Sequence, residues 1–190
     1  MAQNIVRFGL RNVHYSVATA DEFGALTYGA TAPFPGAVSL TLDTRGEQTD
    51  FYADDRAYYT TSVNNGYEGT YECAEVPLDF RVNVLGDELS ADGILTENAN
   101  AKVATIALMF EFDGDQKATR HVLYNVKMNR PGTGGETKTD TTDPQTSELT
   151  FVASPTVEGV VKRSTTGDTP DEIYNAWYDA VYEPTVTPAP

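Results

Sequence analysis

KVATIALMFEFDGDQKATRHVLYNVKMN, residues 102–129, is the stretch of this chain that decides the fold. Apolar side chains alternate on both sides of a central turn signal, at Ala104, Ile106, Leu108, Phe110 and Phe112 and then at Val122, Tyr124, Val126 and Met128. A period of two predicts strands with one face on a core. Asp113-Gly114-Asp115 predicts the turn between them, so we expect a long antiparallel hairpin. Strands of about a dozen residues would each span roughly 40 Å.

Shorter strands are predicted around this hairpin. Alternating or strand-like runs lie at residues 6–10, 37–44, 48–53, 57–63, 67–74, 148–153 and 157–163. Residues 19–36 are rich in Gly and Ala and contain two prolines, which predicts an irregular connection. Asn64-Asn65-Gly66 predicts a tight turn. Because strands and helices do not alternate, we expect a mainly β protein, an antiparallel β-sandwich or partly closed barrel with one or two short flanking helices.

Two helices are predicted, over residues 75–85 and 169–182. Pro77 suits the first turn of the first helix, and Gly86 suits its C-cap. Thr169 is expected to cap the second helix, with Pro170 at its first position. The second helix has an apolar stripe that we expect to pack on the sheet, formed chiefly by Ile173, Trp177 and Val181. Outside these elements we expect a loop with an extra helical turn or two over 87–101, an exposed loop over 131–146 and an extended tail over 184–190.

The composition favours a single domain over residues 1–183 with an acidic surface. The chain carries 28 acidic and 13 basic residues, for a net charge of −15, which should repel nucleic acid over most of the surface. We expect neither a signal peptide nor a transmembrane helix, because no basic start precedes an apolar run and no apolar run reaches the length of a membrane span.

No pattern in the chain points to catalysis, a metal or a cofactor. His14 and His121 lack neighbouring ligands, and a zinc site needs three or four converging donors. The single cysteine, Cys73, lies within a strand pattern and is expected to be a small packing residue. Asp54-Asp55 and Asp113-Gly114-Asp115 lack the further acids of a calcium loop. We therefore expect a protein that is not an enzyme.

Aromatic side chains offer a second kind of signal. Of 11 tyrosines, many cluster with acids between residues 52 and 71. Rigid, half-polar tyrosine surface suits interfaces, so Phe51, Tyr52, Tyr58 and Tyr59 are candidate subunit contacts. The alternative is that these side chains simply cover a sheet, for which tyrosine has a high propensity.

Several short motifs occur in an order that resembles a known family. They are Phe8-Gly9-Leu10-Arg11-Asn12-Val13, Phe51-Tyr52-Ala53-Asp54-Asp55, Tyr67-Glu68-Gly69-Thr70, Pro77-Leu78-Asp79-Phe80 with Leu85-Gly86, Gly134-Gly135-Glu136-Thr137, Glu148-Leu149-Thr150-Phe151, and a terminal helix with Trp177 and Tyr182. Taken in this order over nearly the full chain, they resemble the major tail protein, or tail tube protein, of long-tailed, non-contractile bacteriophages, especially those of Gram-positive hosts.

The resemblance implies a self-assembling structural protein without a cofactor. Six subunits would form a ring, rings would stack into the tail tube, and sheets of neighbouring subunits would join into one inner barrel. Residues 45–61 are the candidate arm toward the adjacent ring. The implied partners are further copies of the chain, the tape-measure protein, and the tail initiator and terminator proteins. The protein would be assembled in the host cytoplasm and reside in the virion tail.

The resemblance also implies an acidic lumen that holds the tape-measure protein and lets DNA pass without specific binding. The candidate lumen-facing acids are Asp50, Asp54, Asp55, Glu68 and Glu72, which cluster around strand-like runs. The alternative for these acids is an outer, solvated face.

Two other functions remain open at the level of sequence. One is a carbohydrate- or receptor-binding β-sandwich, for which a concave patch of exposed aromatics with convergent polar groups would be required. The other is a different tail component or a secretion-system tube homologue.

Overall fold

The computed structural model of the chain describes residues 4–135, 137 and 144–184, and strands account for most of its regular structure. In chain order the strands are β1 (Arg7–Ala20), β2 (Leu26–Pro33), β3 (Ala37–Thr44), β4 (Gln48–Ala53), β5 (Arg56–Ser62), β6 (Tyr67–Cys73), β7 (Glu88–Leu89), β8 (Leu95–Thr96), β9 (Thr105–Gly114), β10 (Thr119–Met128), β11 (Ser147–Ala153) and β12 (Lys162–Ser164).

The main sheet is antiparallel and runs in the order β2-β1-β9-β10-β11-β6-β3, with β12 paired to β10. Strands β4 and β5 form a separate two-stranded sheet, and so do β7 and β8. Among the described residues the end strands β2 and β3 do not pair with each other, so the main sheet does not close into a barrel. The predicted mainly β, antiparallel, sandwich-like class with short helices is confirmed.

A large hydrophobic cluster packs on one face of the main sheet and includes residues of the segments beside it, among them Phe34, Val76, Phe80 and Leu85. Phe34, from the β2–β3 connection, packs its ring against Tyr71 and Phe80, with centroid distances of 4.9 and 4.6 Å. All three side chains are at most 1% exposed. Burying each of them contributes about 1.5–3 kcal/mol, so this aromatic contact fixes how the two ends of the sheet approach.

The first hairpin is longer than the sequence predicted. β1 has 14 residues, and β2 occupies much of the segment 19–36 that was expected to be irregular. Pairing with β1 overrides the weak strand propensity of its Gly and Ala residues. The predicted alternation at the start of β1 is also wrong. Gly9 and Asn12 have positive φ and the β1–β9 register shifts beside them, which leaves Phe8 57% exposed.

The hairpin of residues 102–129 is formed by β9 and β10, but one of its predicted faces is wrong. Ile106, Leu108 and Phe110 all reach the large cluster. On β10 the register shifts between Leu123 and Val126. The irregularity sends Val126 and Met128 into the large cluster, whereas Val122 and Tyr124 reach a second, smaller cluster on the other side of the sheet.

The predicted helix over residues 75–85 is present only in part. A single α-helical turn, α1 (Leu78–Phe80), continues as a π-helical turn, Arg81–Leu85. Pro77 precedes the helix as its N-cap, and Gly86 ends it with φ 79°. The extra helix expected within 87–101 is wrong: this segment contains the β7–β8 hairpin, closed by the Gly93 N–H donating to the Ser90 carbonyl.

The C-terminal segment is less regular than predicted. The helix expected over 169–182 is α2 (Asp171–Asn175), followed by a 3-10 turn, Ala176–Tyr178. Pro170 is its N-cap, and the Thr169 hydroxyl accepts from the Thr166 N–H instead of capping the helix. The strand expected over 157–163 shrinks to β12, because a turn closed by Thr156 and Val160 replaces its first half.

The remaining predictions concern connections. At residues 64–66, where a tight turn was predicted, the Gly66 N–H donates to the Asn64 side-chain carbonyl at 3.0 Å, and β6 then pairs with β3 and β11. The turn expected at Asp113-Gly114-Asp115 begins later, because β9 continues to Gly114. In the expected loop 131–146, the described residues 131–135, 137 and 144–146 are in neither helix nor strand. Residues 136, 138–143 and, in the expected tail, 185–190 lie outside the described part of the chain.

Candidate assembly surfaces

Residues 48–62, here called the aromatic arm, form a two-stranded hairpin of β4 and β5. Asp54 and Asp55 occupy its turn with φ 52° and 58°, the positive values that a tight two-residue hairpin turn needs. Aspartate tolerates this conformation better than most residues. The Thr60 hydroxyl donates to the Asp50 carboxylate across the strands at 2.7 Å.

The aromatic side chains of the arm lie in solvent. Phe51, Tyr52, Tyr58 and Tyr59 are 61%, 67%, 65% and 63% exposed. Phe51 and Tyr59 are direct cross-strand partners and so share one face of the hairpin. An isolated hairpin is marginally stable in water, and a patch of exposed aromatics is typical of an interaction surface. The four candidate contact residues are therefore brought together on one exposed element.

Backbone hydrogen bonds at its base fix where the arm leaves the sheet. The Val63 N–H donates to the Glu47 carbonyl, and the Asn65 N–H donates to the Arg45 carbonyl. A Cβ on Gly46 would lie 1.9 Å from the Val63 oxygen, so the two segments cross too closely for a side chain there. The direction in which the arm leaves is thus fixed by backbone contacts.

The structure separates the five candidate lumen-facing acids into two groups. Asp50, Asp54 and Asp55 belong to the arm. Glu68 and Glu72 lie on β6, on the face opposite the buried Tyr71 and Cys73. The five acids were predicted to share one surface only because they are close together in sequence.

The second group belongs to a larger acidic surface, here called the acidic face: Asp43, Glu68, Glu72 and Glu148 on the outward side of β3, β6 and β11. Asp43 is directly opposite Glu68, and Glu72 is directly opposite Glu148. Like charges in this relation are destabilising. The Ser39 and Thr146 hydroxyls donate to Glu72 at 3.0 and 2.7 Å, which offsets part of the cost.

Asp43 and Glu148 were not among the predicted acids. Each alternates with core residues of its own strand, and that pattern was visible in the sequence. Only the register between strands, which the sequence did not reveal, places them opposite Glu68 and Glu72.

Two buried carboxylates, Glu111 and Asp87, were not predicted from the sequence. Glu111 is 2% exposed and pairs with Arg120 at 2.9 Å and Arg11 at 3.2 Å. Asp87, 3% exposed, pairs with Arg81 and Arg130. Both carboxylates have their charges paired, which is how buried charges are normally accommodated. These two ion-pair networks stabilise the fold. The Glu111 network links β9 to β10, and the Asp87 network links the π-helical turn to the end of β10.

The C-terminal segment covers the outer side of the β9–β10 hairpin. Trp177 and Val181 are buried against Ala107, Met109 and Val122, and Ile173 packs on the same cluster from a partly buried position. The Trp177 ring stacks on Tyr182 with centroids 5.4 Å apart. All three predicted helix-packing residues thus contact this second cluster, although Val181 follows the helical turns.

The histidines and the cysteine lie apart from these surfaces. Burial lowers the pKa of His121 to about 4, and Lys162 and Arg7 act in the same direction. His121 stacks on Phe110, and its Nδ1 has no hydrogen-bond partner in the described structure. Cys73 is fully buried, and burial raises the pKa of its thiol to about 11. In the described residues, no three metal-ligating side chains come together.

A pocket of about 330 Å³ lies where β2, β10 and the C-terminal segment meet. This Tyr28 pocket is lined by apolar and aromatic surface, with charged groups at its rim, and contains Leu26, Tyr28, Tyr124, Val157, Val160 and Arg163. The Tyr28 hydroxyl donates to the Tyr124 carbonyl at 3.2 Å, and Arg163 donates to the Tyr124 hydroxyl at 3.2 Å. Both tyrosine hydroxyls and one nitrogen of the Arg163 guanidinium therefore have partners within the chain.

Comparison of the chain with protein-family models and with curated proteins found no match. Across the described residues, none of the helices has the length and apolar character needed to cross a membrane.

Proposed function

We propose that this chain is a structural subunit of a phage tail tube, without enzymatic activity, that assembles into stacked rings. The observation that carries the proposal is the aromatic arm, whose four large aromatic side chains are more than 60% exposed. A hairpin of this kind gains stability when another surface covers it. The resemblance noted in the motif order supplies the kind of partner, namely further copies of the same chain.

The edges of the main sheet support the same proposal. Within the described residues, β2 and β3 are end strands with one unpaired side each. Unpaired edges are templates for pairing with another chain. In a ring, sheets of adjacent copies would continue one another and so satisfy these edges. Six copies per ring is the number that the resemblance implies.

The acidic face is our candidate for the tube lumen. It carries four carboxylates in two like-charged cross-strand pairs, an arrangement that a fold selected for stability alone would avoid. A lumen of this charge would repel the DNA backbone and let it slide during ejection. The tape-measure protein would occupy the lumen before ejection, and the tail initiator and terminator proteins would bind the two ends of the tube. Assembly would occur in the host cytoplasm and place the protein in the virion tail.

Electron microscopy tests the proposal directly. Purified protein at high concentration should show rings or hollow tubes in negative stain, while light scattering on a dilute sample follows their dissociation. The variant Phe51→Ser/Tyr59→Ser should lose assembly by about tenfold or more, because the cross-strand aromatic pair supplies the contact. Ile94→Thr, at a 62% exposed position on the β7–β8 hairpin, is the matched control and should assemble normally. A wild-type chain that stays monomeric at every concentration would contradict the proposal.

A second candidate is a glycan- or receptor-binding module, which the Tyr28 pocket favours because aromatic surface there lies beside charged residues. A glycan array followed by thermal shift measures it. A glycan that raises the melting temperature of the wild type, and not of Val157→Asp, would support this candidate.

A further inference from the structure

We propose that the Tyr28 pocket receives the aromatic arm of a laterally neighbouring copy of this chain, so that arm and pocket form the contact within one ring. This inference rests on the proposed self-assembly. It departs from the resemblance, which places the arm between rings. It assigns both a receiving surface and a direction to the contact.

The chemistry of the pocket determines which kind of surface can bind in it. The hydroxyls of Tyr28 and Tyr124 are already in hydrogen bonds within the chain, and Arg163 donates from one of its nitrogens. What remains available is ring and aliphatic surface, together with the other donors of Arg163. Val157 at the pocket is 68% exposed, and a Cβ built on Gly24 would lie 3.2 Å from its side chain. The turn that carries the 78% exposed Phe23 therefore adjoins the pocket and extends its apolar rim.

The arm carries four of the six large aromatic side chains that are exposed among the described residues. These side chains combine large apolar area with hydroxyls that can stay at a wet rim. A pocket of about 330 Å³ is at the small end of the range for ligand pockets. It therefore suits aromatic side chains better than an extended oligosaccharide.

Each of the two surfaces carries two carboxylates and one arginine, so cross-pairing is available to both arginines. The arm presents Asp54 and Asp55 beside Arg56 at its turn, and the pocket presents Glu158 and Glu183 beside Arg163. Neither arginine forms an ion pair with another described residue. Arg56 can therefore pair with the glutamates of a neighbour while the aspartates pair with its Arg163. Complementary rim charges of this kind give a contact its register.

The position of the arm base gives the direction. Tyr67 pairs with Ala153 at the start of β6, and a Cβ on Gly66 would lie 2.0 Å from the Ala153 oxygen. The pocket begins at Thr156, three residues after Ala153, so the arm base and the pocket lie at the same end of the sheet. The proposed joining of sheet edges in a ring sets the strands along the ring axis. Copies in one ring are then related by a rotation that keeps the same ends of the sheet level, whereas head-to-tail stacking brings opposite ends together. An arm and a pocket at the same end therefore meet between neighbours in a ring.

Site-directed cross-linking of the full chain tests this contact. Ala57→Cys on the arm and Ala25→Cys at the pocket are made in separate preparations that differ in tag length. They are mixed under assembling conditions and treated with a short bismaleimide. A mixed dimer should form at least about tenfold faster than with the control pair Ala57→Cys and Ile94→Cys. The wild-type chain serves as the blank, since its Cys73 is buried.

Each outcome decides the question. Rings or tubes without preferential cross-linking overturn the arm–pocket contact and leave the proposed function standing. Cross-links that form in tubes but not in isolated rings overturn the lateral direction. A doubly substituted chain that links to itself at high dilution shows that the arm folds onto its own pocket, which also overturns the inference. A chain that never assembles overturns the proposed function and this inference together.

A charge-reversal series provides a second readout that introduces no cysteines. Arg56→Glu should lower assembly, and combining it with Glu158→Arg should restore it, because the reversed pair recovers its attraction. Arg56→Glu combined with Glu88→Arg, at an exposed position outside the pocket, is the matched control and should not restore assembly. Equal recovery in both double variants would overturn the pairing.

Discussion

At the scale of single residues, the fold depends on how its buried polar groups are accommodated. Glu111 lies between two arginines and accepts a hydrogen bond from the Asn12 amide. His121 is buried against two phenylalanine rings. Removing water from an imidazole disfavours its protonated form and lowers its pKa, and nearby Lys162 and Arg7 add to that effect.

The lowered pKa of His121 predicts that the free energy of unfolding decreases in mild acid. Its folded-state pKa of about 4 lies below its ordinary value of 6.5, so the unfolded chain binds the proton first as the pH falls. The contribution is fully present above pH 6.5 and is lost progressively between pH 6.5 and pH 4. It amounts to at most about 3 kcal/mol.

Urea denaturation across this pH range measures the effect. His121→Phe keeps an aromatic ring at the site and removes the titrating group, so its stability should fall less steeply with acid than that of the wild type. Parallel profiles for the two proteins would contradict the prediction.

At the scale of elements, the close approach of β3 to β6 depends on one glycine. A Cβ on Gly69 would lie 2.0 Å from the Thr41 carbonyl oxygen and 2.9 Å from the Phe151 ring. Both neighbours are held by sheet pairing and core packing. The two strands therefore cannot accept a side chain at this point without moving apart, and β3 is the strand from which the arm continues.

Gly69→Ala should consequently destabilise the chain by about 1–3 kcal/mol, the usual cost of forcing extra volume into packed structure. The free energy of unfolding in urea is the measurement. Gly132→Ala is the matched control, because no atom lies within 4 Å of a Cβ at that position, and it should change stability by less than about 0.5 kcal/mol. Equal effects at the two glycines would refute this account of Gly69.

The sequence predicted elements where local signals and tertiary packing agree. The apolar alternation of β9 and the strand runs predicted at 48–53 and 57–63 both have local causes, and both were found. The face of β10 was missed because the irregularity after Leu123 has no signature in the alternation itself. β2 was missed because its hydrogen bonds come from β1, whose paired residues lie 6 to 19 positions earlier in the chain, and propensity does not register a partner.

The candidate surfaces also differ in whether they could be predicted from the sequence. The aromatics of the arm could be identified from composition, because they are close together in sequence. The acidic face could not, because it requires the register of three strands distant in the chain. The Tyr28 pocket combines four separate segments and left no signal in any one of them.

At the scale of the whole molecule, the net charge of −15 opposes self-association. Copies brought side by side repel one another unless salt screens the acidic surfaces. The aromatic arm and the open sheet edges act over contact distances and are little affected by screening. Assembly should therefore depend on a balance between short-range attraction and long-range repulsion.

Assembly at fixed protein concentration should accordingly rise with ionic strength. The screening length falls from about 30 Å at 0.01 M to about 8 Å at 0.15 M salt, which is enough to weaken repulsion between whole subunits. Light scattering against sodium chloride concentration is the measurement, with sucrose as the uncharged control. Assembly that falls steadily with salt would mean that ionic attraction dominates the subunit contact and would contradict this prediction.

Strand β10 contributes side chains to both hydrophobic clusters, and this has a consequence for how the chain unfolds. Val122 and Tyr124 belong to one hydrophobic cluster and Val126 and Met128 to the other, so neither cluster can melt while this strand keeps its place. Heat or denaturant must therefore unfold both hydrophobic clusters together, in a single cooperative step. The C-terminal segment is accordingly part of the folding unit itself, and cutting the chain before Asp171 would remove one of the two supports on which its central strand depends.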